Sequence, residues 1–509
     1  MKGPPMKQTE IIRRAAPPLT RFVPPSPDVM AMLFMEYKRS GKSKKMSFRQ
    51  YLESIGFTNP AEGLVGMDDS ARFRSAPAGP ELIDIPTQPV VGEVRVKVLL
   101  VDFSDRPGVL PARHYEDLLF SEGVYPTGSM RDYYKEVSLG KVRVTGSVHG
   151  WQRMPHSYAY YTNNNSGTRW TDYPRNAPRL AEDAVKAAKA AGVKFEAALD
   201  KFEQGIVTAL IVVHAGRGAE VMPPAQRGRE IWSHKWQLRN PVNVAPGLDA
   251  TIYLTVPNDC KVGVCAHELG HLAFQWQDFY DPNYDEDGLE WDGSGVWDLM
   301  AGGSYNGNGA RPAHPAALHK LQHGWITART LSKSGTLTLR PYTPSTGRVA
   351  KIKSPNFAPG QYLLLENRKR WGFDFALPGE GLLVWRVDES GAQETTHTPG
   401  LFLVQADGRN HLTDPNDWNQ GDAGDPFPGS AGKKTVADSG ATSTSFAGKR
   451  SGVTLHAITR DSKGVVRLKV KIAPGPAPSA APRKRAAKKR VGKRAAKKGR
   501  GTGDAAIAV

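Results

Sequence analysis

One motif constrains this 509-residue chain more than any other feature: His267-Glu268-Leu269-Gly270-His271. On a helix, His267 and His271 lie one turn apart on the same face, so both imidazoles can bind one metal ion. Glu268 lies between them and can accept a proton from a metal-activated water. The chain has thirteen His, and a chance match has a probability of roughly 2%. The motif therefore predicts a zinc hydrolase.

A catalytic zinc site usually has a third protein ligand, and two Asp residues follow the motif at a suitable distance. Asp278 lies seven residues beyond His271 and can return to the metal if the helix ends after Phe274. Asp281 is the alternative ligand. A turn carboxylate with no ligand role is the competing interpretation of Asp278.

A Met residue in a Gly-rich turn follows the ligand region, in Trp297-Asp298-Leu299-Met300 and the residues after it. Metzincin proteases place such a Met beneath their zinc site as an apolar floor. Tyr305 is a candidate hydroxyl donor to the oxyanion of a tetrahedral intermediate, with a packed aromatic as the alternative. His234 either lines the cleft from a neighbouring strand or is a structural His.

Several further segments match, in the same order, one family of proteins. They are residues 129–138 (Ser-Met-Arg-Asp-Tyr-Tyr-Lys-Glu-Val-Ser), 267–271, 278–281 (Asp-Phe-Tyr-Asp), 297–300, 364–368 (Leu-Leu-Glu-Asn-Arg), 377–389 and 421–429 (Gly-Asp-Ala-Gly-Asp-Pro-Phe-Pro-Gly). With these segments, the chain resembles the immune inhibitor A type of bacterial metallopeptidases over most of residues 93–470.

The resemblance implies a secreted zinc endopeptidase with a metzincin-like catalytic domain and protein or peptide substrates. It implies a metal held by His267, His271 and Asp278, with Glu268 as general base and Met300 in the turn. The chain departs from the common metzincin pattern after the second His. A Phe stands where that pattern has Gly, and Gln277 stands where it has the third ligand.

An acidic loop lies between the ligand region and the Met300 turn and is a candidate calcium site. Asp285, Asp287 and Asp292 offer alternate oxygens around a Gly, as calcium requires, but Ser294 stands where an EF-hand has its bidentate Glu. A solvated acidic loop is the alternative. Three further residues form a second oxygen-rich candidate: Asp407, Asp422 and Asp425.

Strand and helix patterns alternate up to the motif helix. Residues 94–103 and 206–213 are continuously apolar, as in strands buried on both faces, and residues 179–202 are the longest helical pattern. This alternation predicts an α/β (α+β), metzincin-like protease domain. Between residues 330 and 472, short strands separated by turn residues predict a β-rich, sandwich-like domain.

We expect five segments along the chain. They are a flexible N-terminal arm (1–25), a helical leader or pro-segment with a Pro-rich linker (26–92), the zinc metallopeptidase catalytic domain (93–328), the β-rich domain (329–474) and a disordered Lys/Arg-rich tail (475–509).

The basic tail suggests a rival function. It holds eleven basic residues and one acidic residue, and so contributes +10 of the net charge of +18. Residues 483–500 are suited to non-specific contact with nucleic acid or another polyanion. The alternative is a solvated tail that has no binding partner. The rival to a peptidase is a catalytically inactive metalloprotease-like binding protein that uses this tail.

Two features bear on the compartment. There is no run of about 18 apolar residues, so the sequence predicts no transmembrane segment. No apolar stretch directly follows the basic N-terminus, so an ordinary signal peptide is not expected. A cytoplasmic or non-classically exported protein is therefore the alternative to the secreted protein that the resemblance implies.

The two Cys residues, Cys260 and Cys265, form either one local bridge or two unlinked thiols.

Overall fold

The computed structural model describes seven stretches of the chain: residues 21–57, 88–280, 292–343, 347–389, 400–414, 417–446 and 449–475. Up to Pro474, these stretches belong to one compact unit. Within them, no helix combines the length and the apolar composition that a membrane span requires.

The described chain begins with a short strand, β1 (Arg21–Phe22), and a pair of helices, α1 (Pro27–Arg39) and α2 (Phe48–Ser54). Both helices lie within residues 26–92, where a helical leader was expected. Helix α2 begins with a capping box, in which Ser47 and the third helical residue exchange side-chain and backbone hydrogen bonds. Aromatic side chains of the two helices pack together, with Phe34 edge-on to Phe48 at 5.0 Å between ring centroids.

Strand β1 joins five further strands in one mixed sheet with the order β1-β5-β6-β4-β2-β3. These strands are β2 (Gly92–Asp102), β3 (Val142–Arg153), β4 (Leu210–His214), β5 (His234–Ala245) and β6 (Leu248–Pro257). The four strands β3, β2, β4 and β6 are parallel. Strand β5 is antiparallel to β6, and β1 is antiparallel to β5 at the edge of the sheet.

Helices cover both faces of this sheet, which explains its continuously apolar strands. Val98 and Leu100 of β2 point into one hydrophobic cluster, whereas Leu99 and Val101 point into another on the opposite face. The mixed α/β class expected from the sequence is confirmed. The helices of this region are α3 (Ala112–Phe120), α4 (Met130–Val137), α5 (Tyr158–Thr162), α6 (Ala177–Ala190), α7 (Pro224–Arg227) and α8 (Val262–Phe274).

Three predicted boundaries in this region were wrong. The helix expected over residues 179–202 ends at Ala190, because Gly192 adopts a left-handed φ of 81° that terminates it. The strand expected over residues 206–213 begins only at Leu210, since Val207 donates its N–H outside the β4 ladder, to Asp249. The residues 231–238 also have a strand pattern, but the strand observed there, β5, begins at His234 and ends at Ala245.

A β-rich region follows helix α9 (Ala317–Gln322). Its first sheet has the order β12-β11-β10-β9-β7, and its second has the order β13-β14-β8. Both sheets contribute to one hydrophobic cluster. The strands are β7 (Thr327–Leu331), β8 (Gly335–Leu339), β9 (Arg348–Ile352), β10 (Gln361–Arg368), β11 (Gly381–Asp388), β12 (Leu401–Leu403), β13 (Val453–Arg460) and β14 (Val466–Ile472).

Strand β10 connects the β-rich region with the motif region. Leu363 and Leu365 pack between the two β-rich sheets. Leu364, on the opposite face of the strand, packs in a cluster with Phe279 and Trp297, which flank the predicted ligand loop and Met turn. The two regions therefore share a hydrophobic core.

Candidate metal centre and cleft

Helix α8 carries the His-Glu-x-x-His motif, and all of its 13 residues are buried. Its Gly270 is required by a close approach of the chain, because a Cβ there would lie 2.9 Å from the Sδ atom of Met300 and 2.9 Å from the ring of Trp276. On another face of the helix, Tyr134 donates a 2.7 Å hydrogen bond to the carbonyl of Ala266. The motif is thus held rigidly between the sheet and the Met300 turn.

The turn after helix α8 explains the departure from the common metzincin spacing. The helix ends at Gln275, which adopts a left-handed conformation with φ 58° and ψ 32°. The N–H of Trp276 then bonds back to the carbonyl of Gly270 at 3.2 Å. The turn residue and Asp278 both come one residue later than in the common pattern, so the spacing between them is preserved.

Three side chains meet beside the helix. The Nε2 atoms of His267 and His271 are 3.1 Å apart, and Oδ1 of Asp278 lies 3.2 Å from each. All three side chains are buried. In a tetrahedral zinc site with bonds of about 2.0–2.1 Å, ligand atoms are about 3.3–3.4 Å apart, so this spacing fits one ion.

Hydrogen bonds fix the tautomer of both imidazoles. Nδ1 of His267 lies 2.9 Å from the carbonyl oxygen of Leu299, and Nδ1 of His271 lies 2.6 Å from that of Trp276. A carbonyl only accepts, so in the neutral rings each Nδ1 carries the proton and each Nε2 presents a lone pair. The three atoms that meet, including Oδ1 of Asp278, are therefore acceptors, and a cation between them would satisfy all three.

The two carboxylates of this centre differ in their electrostatics. Burial acts to raise the pKa of Asp278, but positive charge and donated hydrogen bonds from His271 and His267, which these rings supply only when protonated, outweigh it and lower that pKa. Burial, reinforced by the carboxylates of Asp278 and Glu220, raises the pKa of Glu268 well above its ordinary value. Neither carboxylate oxygen of Glu268 has a hydrogen-bond partner among the described residues. Its side chain is thus placed to bond to water or to a ligand.

Met300 lies in a buried turn against the motif helix. The carboxylate of Asp298 holds this turn, because it accepts the N–H of Met300 at 3.2 Å and the N–H of Ala316 at 2.9 Å. The next carbonyl, of Leu299, is the one that orients His267. The turn thus places Met300 against Gly270 of the motif helix and supplies a fixed acceptor for the first imidazole.

Tyr305 is partly buried and bonds to the N-terminal segment, by which we mean residues 21–57. Its hydroxyl donates to the carbonyl of Pro24 at 2.7 Å. Burial, followed by the carboxylates of Glu220 and Glu268, raises the pKa of Tyr305 well above 10, so the hydroxyl stays protonated and remains a donor. The sequence did not indicate this contact, because Tyr305 and Pro24 are 281 residues apart along the chain.

His234 is a structural residue. Its Nδ1 bonds to the carbonyl of Trp232 at 2.6 Å, and its Nε2 lies 3.0 Å from the hydroxyl of Tyr253. The side chain is fully buried, and burial lowers the pKa of His234 to about 4. Of the two interpretations left open by the sequence, the structure supports the one in which this His packs inside the sheet.

The structure describes only part of the predicted calcium loop and of the basic tail. Asp281, Asp285 and Asp287 lie outside the described residues, whereas Asp292 is buried and accepts a 3.2 Å bond from Gln420. The calcium site in this loop stays a prediction. The basic tail also lies outside the described residues, except for its first residue.

The second oxygen-rich candidate differs from the predicted set. Asp407 and Asp422 come together with His411, a residue that the sequence analysis did not include. Asp425 is excluded from this group because its carboxylate is buried and accepts hydrogen bonds from Trp297 at 2.8 Å and from a Gln side chain.

Both Cys260 and Cys265 are buried, free thiols.

The N-terminal segment is bound by residues that the sequence did not indicate. The N–H of Val23 donates to the carbonyl of Ser233 at 3.2 Å, and Nε1 of Trp232 donates to the carbonyl of Val23 at 2.8 Å. Glu220 accepts the hydroxyl of Ser233 at 2.6 Å, and its backbone carbonyl accepts the N–H of Ser26. Such pairings join distant parts of the chain and have no local sequence signal.

Comparison with known proteins gives a consistent result. Residues 93–331 match the family described as immune inhibitor A peptidase M6, catalytic domain. The chain is 29% identical over 289 residues to Pre-pro-metalloprotease PrtV of Vibrio cholerae serotype O1, covering 47% of this chain and 31% of that protein. It is 28% identical over 274 residues to Immune inhibitor A of Bacillus thuringiensis subsp. alesti, covering 44% of this chain and 39% of that protein.

The matched part of this chain therefore spans less than half the length of either relative. Within that part lie the motif helix, the turn at Gln275, Asp278 and the Met300 turn. The resemblance that the sequence motifs indicated is confirmed for residues 93–331, which match the catalytic domain of the immune inhibitor A peptidase M6 family.

Proposed function

We propose that this chain is a zinc-dependent endopeptidase that hydrolyses peptide bonds of protein substrates, with Glu268 as its general base. The observation that carries the proposal is the meeting of three acceptor atoms, from His267, His271 and Asp278, within 3.2 Å of one another. Two imidazole nitrogens and one carboxylate oxygen are a typical ligand set of catalytic zinc, which keeps one position open for water or substrate.

The residues of the cleft have distinct tasks in the proposed reaction. A bound zinc ion supplies Lewis-acid polarisation of the peptide carbonyl and acidifies the attacking water. Glu268 accepts the proton of that water at a carboxylate oxygen and delivers it to the leaving nitrogen. Tyr305 donates its O–H to a carbonyl oxygen of the bound peptide, as it does to Pro24, and so stabilises negative charge on such an oxygen.

The N-terminal segment is proposed to be an inhibitory pro-segment. Strand β1 occupies the edge of β5, and it also lies against the motif helix α8. Val23 and Pro24 bond to Trp232, Ser233 and Tyr305 along the same edge. In this proposal a peptide substrate binds along the same edge, so the segment blocks access to Glu268 until it is removed.

The β-rich region, predicted as residues 329–474, is proposed to brace the Met turn. Nη1 of Arg368 on β10 donates to the carbonyl of Trp297 at 3.0 Å, three residues before Met300. The same guanidinium forms two hydrogen bonds with Asp374, of 2.6 and 2.5 Å. Nε1 of Trp297 donates to Asp425 at 2.8 Å. Residues from beyond the family match therefore support the floor of the site.

The test uses the full-length protein with an engineered protease site within residues 58–87. After cleavage there, the N-terminal fragment is removed by gel filtration, and zinc content and casein hydrolysis are measured. We expect stoichiometric zinc in both the wild type and Glu268→Gln, with hydrolysis by the wild type alone. Uncut protein is expected to be much less active, as a pro-segment requires.

The opposite result would favour the rival function. Stoichiometric zinc with no casein hydrolysis by the cut wild-type protein would indicate an inactive binding protein. That alternative depends on a basic tail outside the described residues. The presence of Glu268, an acid–base residue that an inactive scaffold does not need, supports the peptidase. Export of the protein is part of the same proposal, because the sequence resembles a largely secreted family.

A further inference from the structure

Three consecutive residues of the N-terminal segment are bound through their main chain at the edge of the cleft. Phe22 pairs with His234 in the antiparallel ladder between β1 and β5. Val23 donates its N–H to Ser233 and accepts from the indole N–H of Trp232 through its carbonyl. The next carbonyl, of Pro24, accepts from Tyr305. Bonds of this kind do not depend on side chains, so another extended peptide can form them in place of the N-terminal segment.

The side chain of Val23 occupies an apolar site in the body of the protein. Val23 is only 1% exposed, and it belongs to the same hydrophobic cluster as Trp232 and Val264. Val264 lies on helix α8, one turn before His267 and on the same helical face. Main-chain binding thus places one aliphatic side chain in a buried site, within the hydrophobic cluster that also contains residues of the motif helix.

We propose that the apolar site filled by Val23 is the subsite that selects substrates, and that it takes a branched aliphatic side chain within two residues of the cleaved bond. This inference rests on the proposed endopeptidase function and adds the substrate class. The peptide backbone is held by the carbonyl of Ser233 and by the donors Trp232 and Tyr305, while the side chain in the Val23 site provides the discrimination.

The apolar surroundings and the burial of Val23 set the expected selectivity. Removing methyl groups from a side chain in an apolar pocket lowers kcat/KM by about tenfold or more, so alanine is expected to be a poor substitute for valine. A charged side chain has to lose its hydration without gaining a partner, and we expect a loss of more than about a hundredfold for lysine or aspartate. Isoleucine, which differs from valine by one methylene, should be accepted.

The first experiment profiles the cut full-length protein, freed of its N-terminal fragment, with quenched fluorogenic peptides. The peptides are identical except for one position, which carries Val, Ile, Ala, Lys or Asp and is moved from three residues before to three residues after the cleaved bond. The expected result is a preference for Val and Ile at one position next to the bond or one residue further away. Equal kcat/KM values at every position would overturn the subsite but leave the endopeptidase function intact. Failure to cleave casein as well as the peptides, with zinc bound, would instead refute the proposed function.

The second experiment uses the uncut chain, so that the N-terminal segment itself reports on the subsite. Val23→Asp is expected to raise casein hydrolysis at least tenfold over uncut wild type, because the segment leaves the cleft. Val23→Ile is expected to keep the chain inactive. Val29→Ala is the matched control, since Val29 lies on α1 and packs against the aromatic cluster of the N-terminal segment. Equal activity of the uncut Val23→Asp and wild-type proteins would contradict the inference.

Discussion

Replacing Gln275 with valine tests whether the left-handed turn after helix α8 determines the position of Asp278. Gln275 has φ 58° and ψ 32°. Gln275 already bears the cost that this conformation imposes on any L-residue, and the branched Cβ of valine adds a further cost of about 1–2 kcal/mol. We therefore expect Gln275→Val to lower the free energy of unfolding by about 1–2 kcal/mol. Where the chain relieves the strain by moving the turn, Asp278 is displaced from the two His residues.

A displacement of Asp278 would appear as weaker zinc binding. A cost of about 1–2 kcal/mol at the third ligand corresponds to an affinity lower by about 5–30-fold. Gln275→Gly adopts the same φ without steric cost, so it should keep the zinc affinity and change the stability by less than about 1 kcal/mol. Zinc affinity is measured by competition with a chromophoric chelator, and stability by urea unfolding of the zinc-loaded protein.

A matched control separates turn strain from a general loss of stability. Glu203 is an exposed residue in another turn with a φ of 55°. Glu203→Val is expected to lower the free energy of unfolding by a similar amount and to leave the zinc affinity unchanged. The reasoning would be refuted if Gln275→Val bound zinc as tightly as the wild type, or if Glu203→Val weakened zinc binding to the same degree.

Three further predictions concern buried titratable side chains, those of Asp278, Arg368 and His234. Asp278→Ala should lose most of the bound zinc in metal analysis, whereas Asp281→Ala should retain it; the reverse would exchange the ligand assignment. Arg368→Leu should cost about 3–5 kcal/mol in urea unfolding because it leaves the carboxylate of Asp374 buried and uncompensated, and Arg368→Leu with Asp374→Leu should recover part of that loss. Because the pKa of His234 is about 4 in the fold and about 6.5 when unfolded, its contribution is complete above pH 6.5 and is lost as the pH falls towards 4. His234→Gln should therefore show a shallower fall of unfolding free energy over that range, and an unchanged slope would contradict the assignment.

Sequence patterns predicted those parts of the structure that are set locally. The apolar run of β2 and the one-turn spacing of His267 and His271 are properties of neighbouring residues, so the strand and the shared helical face follow directly. Helix ends were less predictable. The long helical pattern that stops at Ala190 shows that one left-handed glycine outweighs a favourable pattern beyond it.

Contacts between distant residues were beyond the reach of those patterns. Nothing in the residues around Tyr305 indicates that its hydroxyl donates a hydrogen bond to the carbonyl of Pro24. Likewise, nothing around Asp425 indicates that its carboxylate accepts a hydrogen bond from Trp297 and does not belong to an oxygen-rich site. The end of the helix after Phe274 was anticipated, but the left-handed conformation of Gln275 that forms the turn was not. A left-handed residue other than glycine is uncommon, so the sequence showed only that Asp278 comes one residue late.

The central claim is that His267, His271 and Asp278 hold a zinc ion beside Glu268. Anomalous diffraction above and below the zinc absorption edge, on crystals of the full-length protein grown without chelator, tests it most directly. The account predicts one peak that appears only above the edge, about 2.0–2.2 Å from the two Nε2 atoms and Oδ1 of Asp278. A zinc peak bound by the two imidazoles with Asp278 turned away, or a peak at another group of residues, would contradict it.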